Sequence, residues 1–208
     1  MVKVRRRQDR ATLTRRQLID AATIEFASKG FDGTTTRSIA DRAKTRHALL
    51  IYHFESKQGI WRAVLEHVLQ NWHTKLMAAV VPLAATDEVA ALRAFQRTFI
   101  ELSATEPETH WLMSHEARAS TGQLQQLLET LTAKDMKLLA KLIRRAQKKG
   151  FYIAGNPAHL HYLFVGAASR VFMMSGEATR NLGRSPFDAS FVERHVKYCE
   201  RLFFRNLP

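Results

Sequence analysis

A single cysteine, Cys199, stands in 208 residues, so no internal disulfide and no thiolate metal site can form, and a reducing compartment suits the chain. Its apolar neighbours make it a packing residue. The apolar stretch Ala78–Ala85 is too short to cross a bilayer and is interrupted by Pro82. The basic stretch Met1–Arg10 is followed by no apolar segment or small-residue cleavage site, so it does not read as a secretory signal. A cytoplasmic protein without membrane association is expected. Missing too are a glycine-rich phosphate loop, a nucleophile elbow and a salient pair of carboxylates, so no enzyme and no cofactor is expected. His110 and His115 lie five apart and His159 and His161 two apart, spacings that do not suit a zinc site.

Acidic residues are the other shortage. There are 19 against 32 Lys and Arg, a formal charge of +13, within a composition that is otherwise ordinary for a globular protein. The surplus is densest at the front: residues 1–60 hold 13 basic and 6 acidic side chains. A polyanionic partner such as nucleic acid is favoured. The run Lys141, Arg144, Arg145, Lys148 and Lys149 sits at a predicted helix C-terminus, where cations offset the macrodipole, and reads as a solvated face.

Strand signals are absent, and apolar residues recur with a helical period throughout. The fold class is therefore all-α. A first helix is predicted from Thr14, burying Leu18, Ile19, Ala22 and Phe26 and ending at Gly30, with Phe31–Gly33 as a turn. Thr35 caps a short helix burying Ile39, Ala40 and Ala43, and a break near Lys44–Thr45 leads to a third helix with Leu49 and Leu50. Ser56 caps a longer fourth helix that runs through Trp72 and Leu76 to Pro82. Further helices are expected at Asp87–Ser103 (capped by Thr86), Pro107–Ala119, Gln123–Gln147, Pro157–Ser175 and Asp188–Phe204, with 177–187 as the longest loop. Two domains are predicted: a three-helix head at 10–56 that contains a helix-turn-helix and a helical-bundle body at 57–208.

The segment Thr34–Phe54 has the organisation of a DNA-reading helix pair, whose second helix enters the major groove with its N-terminal side chains. Arg46 and His47 occupy that start; Arg can bind the O6/N7 edge of guanine, and Thr45 can meet a base or a thymine methyl. Lys44 lies in the basic turn before them. Tyr52, His53 and Lys57 suit backbone phosphates, as do Thr35, Thr36 and Arg37 at the start of the preceding helix. A small bundle with merely solvated charges is the competing interpretation of these residues.

The stretch from Leu18 to Leu65 resembles the N-terminal domain of the tetracycline-repressor (TetR) family. The resemblance rests on Ala21-Ala22, Phe26, Gly30-Phe31, Gly33-Thr34-Thr35, Ile39-Ala40 and Tyr52-His53-Phe54 followed by Ser56-Lys57. Lys44, Thr45 and Arg46 stand where that family usually has Gly, Val and Ser, and Ala48 where Gly is frequent. Ile51 replaces a common phosphate-binding tyrosine, a contact that would pass to Tyr52. The run Leu50–Phe54 resembles the pyrimidine-utilisation repressor branch.

The resemblance implies a ligand-responsive repressor that binds operator DNA as a homodimer, pairing through its last two long helices. Phe191, His195, Cys199 and Leu202 are candidates for that seam. An unidentified small-molecule effector would be held by aromatic walls and a few polar groups from Trp72, Phe95, Phe99, Trp111, His115, Phe164, Arg170 and Met174. Arg170 stands out because it interrupts an apolar helix and would be costly to bury alone. An all-α ligand-binding protein or enzyme without specific DNA binding is the alternative from another class, and a TetR-like activator the alternative within it.

Overall fold

A computed structural model describes the backbone of residues 2–119 and 122–206 and the side chains of 11–118 and 126–206. Among the described residues the chain is helical, with ten helices: α1 (Val2–Gly33), α2 (Thr36–Arg42), α3 (His47–Phe54), α4 (Lys57–Val80), α5 (Glu88–Thr105), α6 (Glu108–Ala119), α7 (Gln123–Lys148), α8 (Pro157–Met173), α9 (Ser175–Leu182) and α10 (Ala189–Phe203). None of those described is long and apolar enough to cross a membrane.

Two compact units result, one comprising Met1–Leu69 with Trp111–Leu127 and the other Gln70–His110 with Leu128–Pro208. α4, α6 and α7 each contribute residues to both. In the first unit α1, α2 and α3 close over Leu18, Ala22, Phe26, Ile39 and Leu50, all inaccessible to solvent, and Ile60, Val64 and Leu65 of α4 complete this core. Leu112 of α6 belongs to it as well. Trp61 packs edge-on to Phe26 at 4.8 Å, and its indole N–H donates to buried Glu116 Oε2 at 2.8 Å, satisfying a polar group that would otherwise be costly to bury.

In the second unit α5 packs against both α8 and α10. Phe95 and Phe99 meet Phe164, with ring centroids 5.9 and 5.3 Å apart, and Phe172, Val196 and Phe203 extend the same core. Glu88, buried in the first turn of α5, receives Arg145 and Lys149 from the end of α7 at 2.9 and 2.5 Å. Those cations, with the positive end of the α5 dipole, hold the Glu88 carboxyl below its ordinary range. Two cations from the basic run are thus ion-paired across helices. On the far side of α5, Arg97 reaches Glu193 of α10 at 2.7 Å.

Several predicted boundaries move. α1 runs through Thr14 instead of starting there, and Phe31–Gly33 is helical beyond a kink at Gly30, whose φ of 70° interrupts the helix. The cap of α5 is Asp87 and not Thr86: its Oδ1 accepts from the N–H groups of Val89 and Ala90 at 3.0 and 2.9 Å. The segment expected as a long loop contains α9. That helix buries no residue, so apolar periodicity could not mark it; Glu177 in its first turn, Arg180 in its last and left-handed Gly183 after it are the signals that do.

Candidate nucleic-acid interface

The helix pair is built from local capping and one buried carboxylate. Thr35 caps α2: its hydroxyl accepts from Ser38 N–H at 3.0 Å, and Thr35 N–H donates to Ser38 Oγ at 3.3 Å, a reciprocal capping box. Thr34, fully buried, donates its hydroxyl to Gly30 O and packs α1 onto the start of α2. From α1, Glu25 takes Arg42 Nε of α2 at 2.7 Å and its own neighbour Lys29 at 2.6 Å. Lys29 and Arg42 outweigh the cost of burial and hold the Glu25 carboxyl at about 2.

The turn between α2 and α3 bends at Lys44, whose φ is 51°, in the left-handed region. Thr45 is half-buried, and its hydroxyl oxygen has no hydrogen-bond partner. Arg46 is the N-cap of α3; it is exposed, and its side chain caps nothing. His47 opens α3, and its Nε2 shares a hydrogen bond with Thr36 Oγ1 at 2.9 Å. That bond ties the N-terminal turns of the two helices together. Arg37 projects exposed from α2.

At the other end of α3, Tyr52 is 78 % exposed, whereas His53 is half-buried and kept below the ordinary histidine range by burial and then by Arg15. Arg15 lies over the Phe54 ring, 5.3 Å from its centroid. Lys57 opens α4. Its ammonium donates to Asp32 O at 3.3 Å and covers the Phe31 ring at 4.5 Å, which clips α4 to the end of α1 while leaving further N–H donors unused. Thr36, Arg37, Lys44, Arg46, His47 and Tyr52 are thus wholly or partly open to solvent around the two short helices.

Sequence reasoning missed three supports of this surface. Glu25 and Arg42 are ordinary helix-surface charges until the fold pairs them. Arg15 is hidden in the same way. Gly59 had a usable signal, a glycine within the first turn of a helix: a Cβ there would lie 2.0 Å from Phe54 O, so the close approach of α4 to the end of α3 depends on its absence.

The residues named for an effector do not all come together. Trp72, Phe95, Phe99 and Phe164 are buried in the second unit as one aromatic cluster, joined by His110, whose ring lies 5.0 Å from Trp72. His110 Nε2 bonds Ser103 Oγ at 2.8 Å, and burial pushes the imidazole down to about 4. Trp111 and His115 belong to the other unit. Trp111 packs on the core of the head, and the His115 ring sits 3.3 Å from where a Gly30 side chain would be. Arg170 and Met174 are both exposed, so the expected cost of burying Arg170 does not arise. Of the seam candidates, Leu202 is 56 % exposed, Phe191 and His195 are half-buried and Cys199 is 1 % exposed, its thiol raised to about 11 by burial; Cys199 faces its own core.

The model of the family described as bacterial regulatory proteins, tetR family, matches residues 18–64, the helix pair and its supports. Residues 18–64 are thus those of a TetR-type N-terminal domain. Over 99 % of its length the chain is 26 % identical to the HTH-type transcriptional regulator RutR of Escherichia coli K12, covering 96 % of that protein. It is 26 % identical to the HTH-type transcriptional repressor NicS of Pseudomonas putida across 70 % of this chain and 69 % of NicS. The fold is shared with AibR, solved in complex with isovaleryl coenzyme A and operator DNA, at a TM-score of 0.71 and 18 % identity, covering 92 % and 98 % of the two chains.

Within a TetR-type head, the departures at the turn acquire a physical meaning. Lys44 occupies the left-handed position where glycine is usual, so this chain accepts backbone strain there and gains a cation. Ile51, in place of the common tyrosine, is 39 % exposed, and Tyr52 beside it is the more open.

Proposed function

We propose that this chain is a TetR-family regulator that represses transcription as a homodimer, reading its operator through α3 and releasing it when a small molecule binds the second unit. The observation that carries the reading is Arg46, an exposed guanidinium at the N-cap of α3 with no capping duty. There it can donate two hydrogen bonds to guanine O6 and N7, with Thr45 and His47 beside it for neighbouring bases. The Thr36–His47 bond orients that end of α3 against α2. Thr35, Thr36 and Arg37, together with Lys44, Tyr52, His53 and Lys57, hold flanking phosphates and set register without reading sequence. Nothing in this mechanism requires covalent chemistry, and the protein acts as a cytoplasmic binding protein and not as an enzyme.

Pairing uses α8 and α10, which leave Tyr162, Leu163, Tyr198 and Leu202 between 51 and 73 % exposed. A two-fold axis through such a face would suit operator half-sites roughly 34 to 36 Å apart. The aromatic cluster of Trp72, Phe95, Phe99 and Phe164 forms the wall through which an effector acts, and it shifts operator affinity only by as much as it binds one conformation better than the other. Trp111 and His115 fall in the other unit, and Arg170 and Met174 are exposed.

Footprinting on the DNA beside the protein's own coding region, followed by sedimentation of the complex, tests the proposal. Two chains on one protected, two-fold symmetric site are expected. Equal binding to random duplex, or a monomer at micromolar concentration with and without DNA, would overturn it and leave the all-α ligand-binding alternative.

A further inference from the structure

The second unit has a cleft of about 300 Å³ between α7 and α8, lined by Leu139 and Ile143 of α7, Pro157 and His161 of α8, and Lys137 and Arg144. Its size is at the lower end of small-molecule sites, and its lining is mostly apolar with a few polar groups. A second, much smaller cavity of about 10 Å³ lies further in and shares Leu139, Ile143 and His161 with the cleft, so these three side chains form the partition. Beyond them are Phe164, Tyr152 and Gln96.

Gln96 is the unusual residue. It is 2 % exposed, its Nε2 donates to Tyr152 Oη at 3.1 Å, and its Oε1 accepts nothing from the protein. A buried amide oxygen without a donor is costly, and such groups are rare enough to call for a partner. It lines the inner cavity and not the cleft. The mouth has the opposite need: Lys137 and Arg144 are exposed cations with no ion pair among the described residues. Lys134 and Lys141 follow the same three-and-four spacing along α7 and deepen the positive potential there. Arg145 and Lys149, by contrast, are spent on Glu88.

We propose that this cleft takes a small hydroxy acid: its carboxylate rests on Lys137 and Arg144, its apolar body lies on Leu139, Ile143 and Pro157, and its hydroxyl passes His161 to donate to Gln96 Oε1. The ligand supplies both missing partners, an anion at the mouth and a donor at the floor. The proposal rests on the effector reading above and names its chemical class and site. Entry requires His161 and its two apolar neighbours to move apart, which joins the two cavities.

Calorimetry on the full chain with 3-(4-hydroxyphenyl)propanoate, 3-phenylpropanoate and 3-(4-hydroxyphenyl)propanamide tests each group in turn. The hydroxy acid should bind about tenfold or more tighter than either relative. Lys137→Gln with Arg144→Gln should erase its advantage over the amide and leave folding unchanged, because both side chains are exposed. Gln96→Met, of similar length, should erase the advantage over 3-phenylpropanoate, with circular dichroism verifying the fold. Should Gln96→Met unfold the chain, the probe comparison on the wild type still decides. Equal binding of acid and amide, equal binding with and without the hydroxyl, no binding of any probe, or tighter binding of the coenzyme A thioester than of the free acid overturns the assignment. Binding without any change in operator affinity would instead retain the site and remove the ligand-response reading.

Discussion

Glu25 on α1 holds Arg42 on α2 through a 2.7 Å contact between Oε1 and Nε, joining residues that are 17 apart in the chain. The carboxylate is 3 % exposed and the guanidinium 44 % exposed, so one partner is sheltered and the other partly solvated. This link ties the first two helices of the head together.

A pH dependence follows from its sign. The folded Glu25 pKa of about 2 lies below the ordinary value of 4.5, so its stabilisation is complete above the unfolded value and is lost as pH falls from 4.5 toward 2. Glu25→Gln should cost about 1 to 2 kcal/mol at neutral pH, discounted for the half-exposed cations. Urea melts at pH 7 and pH 3 should show the gap between variant and wild type narrowing at the lower pH. A constant gap would mean that packing, not the ion pair, sets the cost.

Lys44 allows charge and backbone strain to be separated. Lys44→Gly removes a side chain from a left-handed position and should raise stability by up to about 1 kcal/mol. It should also weaken binding to cognate and random duplex alike and reduce the salt slope by about one unit, the signature of a lost phosphate contact. Lys44→Val should lower stability. Thermal melts and salt-titrated anisotropy check both outcomes, and a Gly variant less stable than wild type would refute the strain argument.

Gly59→Ala should be far more damaging than an alanine on a helix surface. Its Cβ would meet Phe54 O, a backbone atom that cannot rotate away, so α3 or α4 must shift. A cost of about 1 to 3 kcal/mol is expected from overpacking, with operator affinity falling further than stability if α3 carries the reading side chains as proposed. Melting and anisotropy on the same sample measure the two effects.

Arg46 and Lys57 should fail in different ways. Arg46→Ala should cost about 1 to 3 kcal/mol on the operator and relax preference at one base position. Lys57→Ala should weaken all duplexes similarly, and it should also lower the melting temperature slightly, because the ammonium clips Asp32 and Phe31. If Arg46→Ala lowers cognate and scrambled affinities equally, the guanidinium binds phosphate and not a base.

Much of the head was legible along the chain because its determinants are local. The capping Thr35 and the apolar spacing of Leu18, Ala22 and Phe26 each act over a few residues, and Ala22, Phe26 and Thr35 were among those that carried the family resemblance, while the basic start of α3 was legible as charge although it departs from the family. α9 was illegible for the complementary reason: it buries nothing, so it leaves no apolar period.

Composition and periodicity by themselves determined an all-α chain with a basic helix pair at its front, because helical spacing and charge are properties of neighbours. Only the tertiary structure decided what each isolated side chain does. It buried Glu25 between two cations, placed Trp72 with Phe95, Phe99 and Phe164 while assigning Trp111 and His115 to the other unit, and left Arg170 in solvent. Helical period tells which residues share a face of one helix, but which face meets which neighbour depends on contacts between residues far apart in the chain.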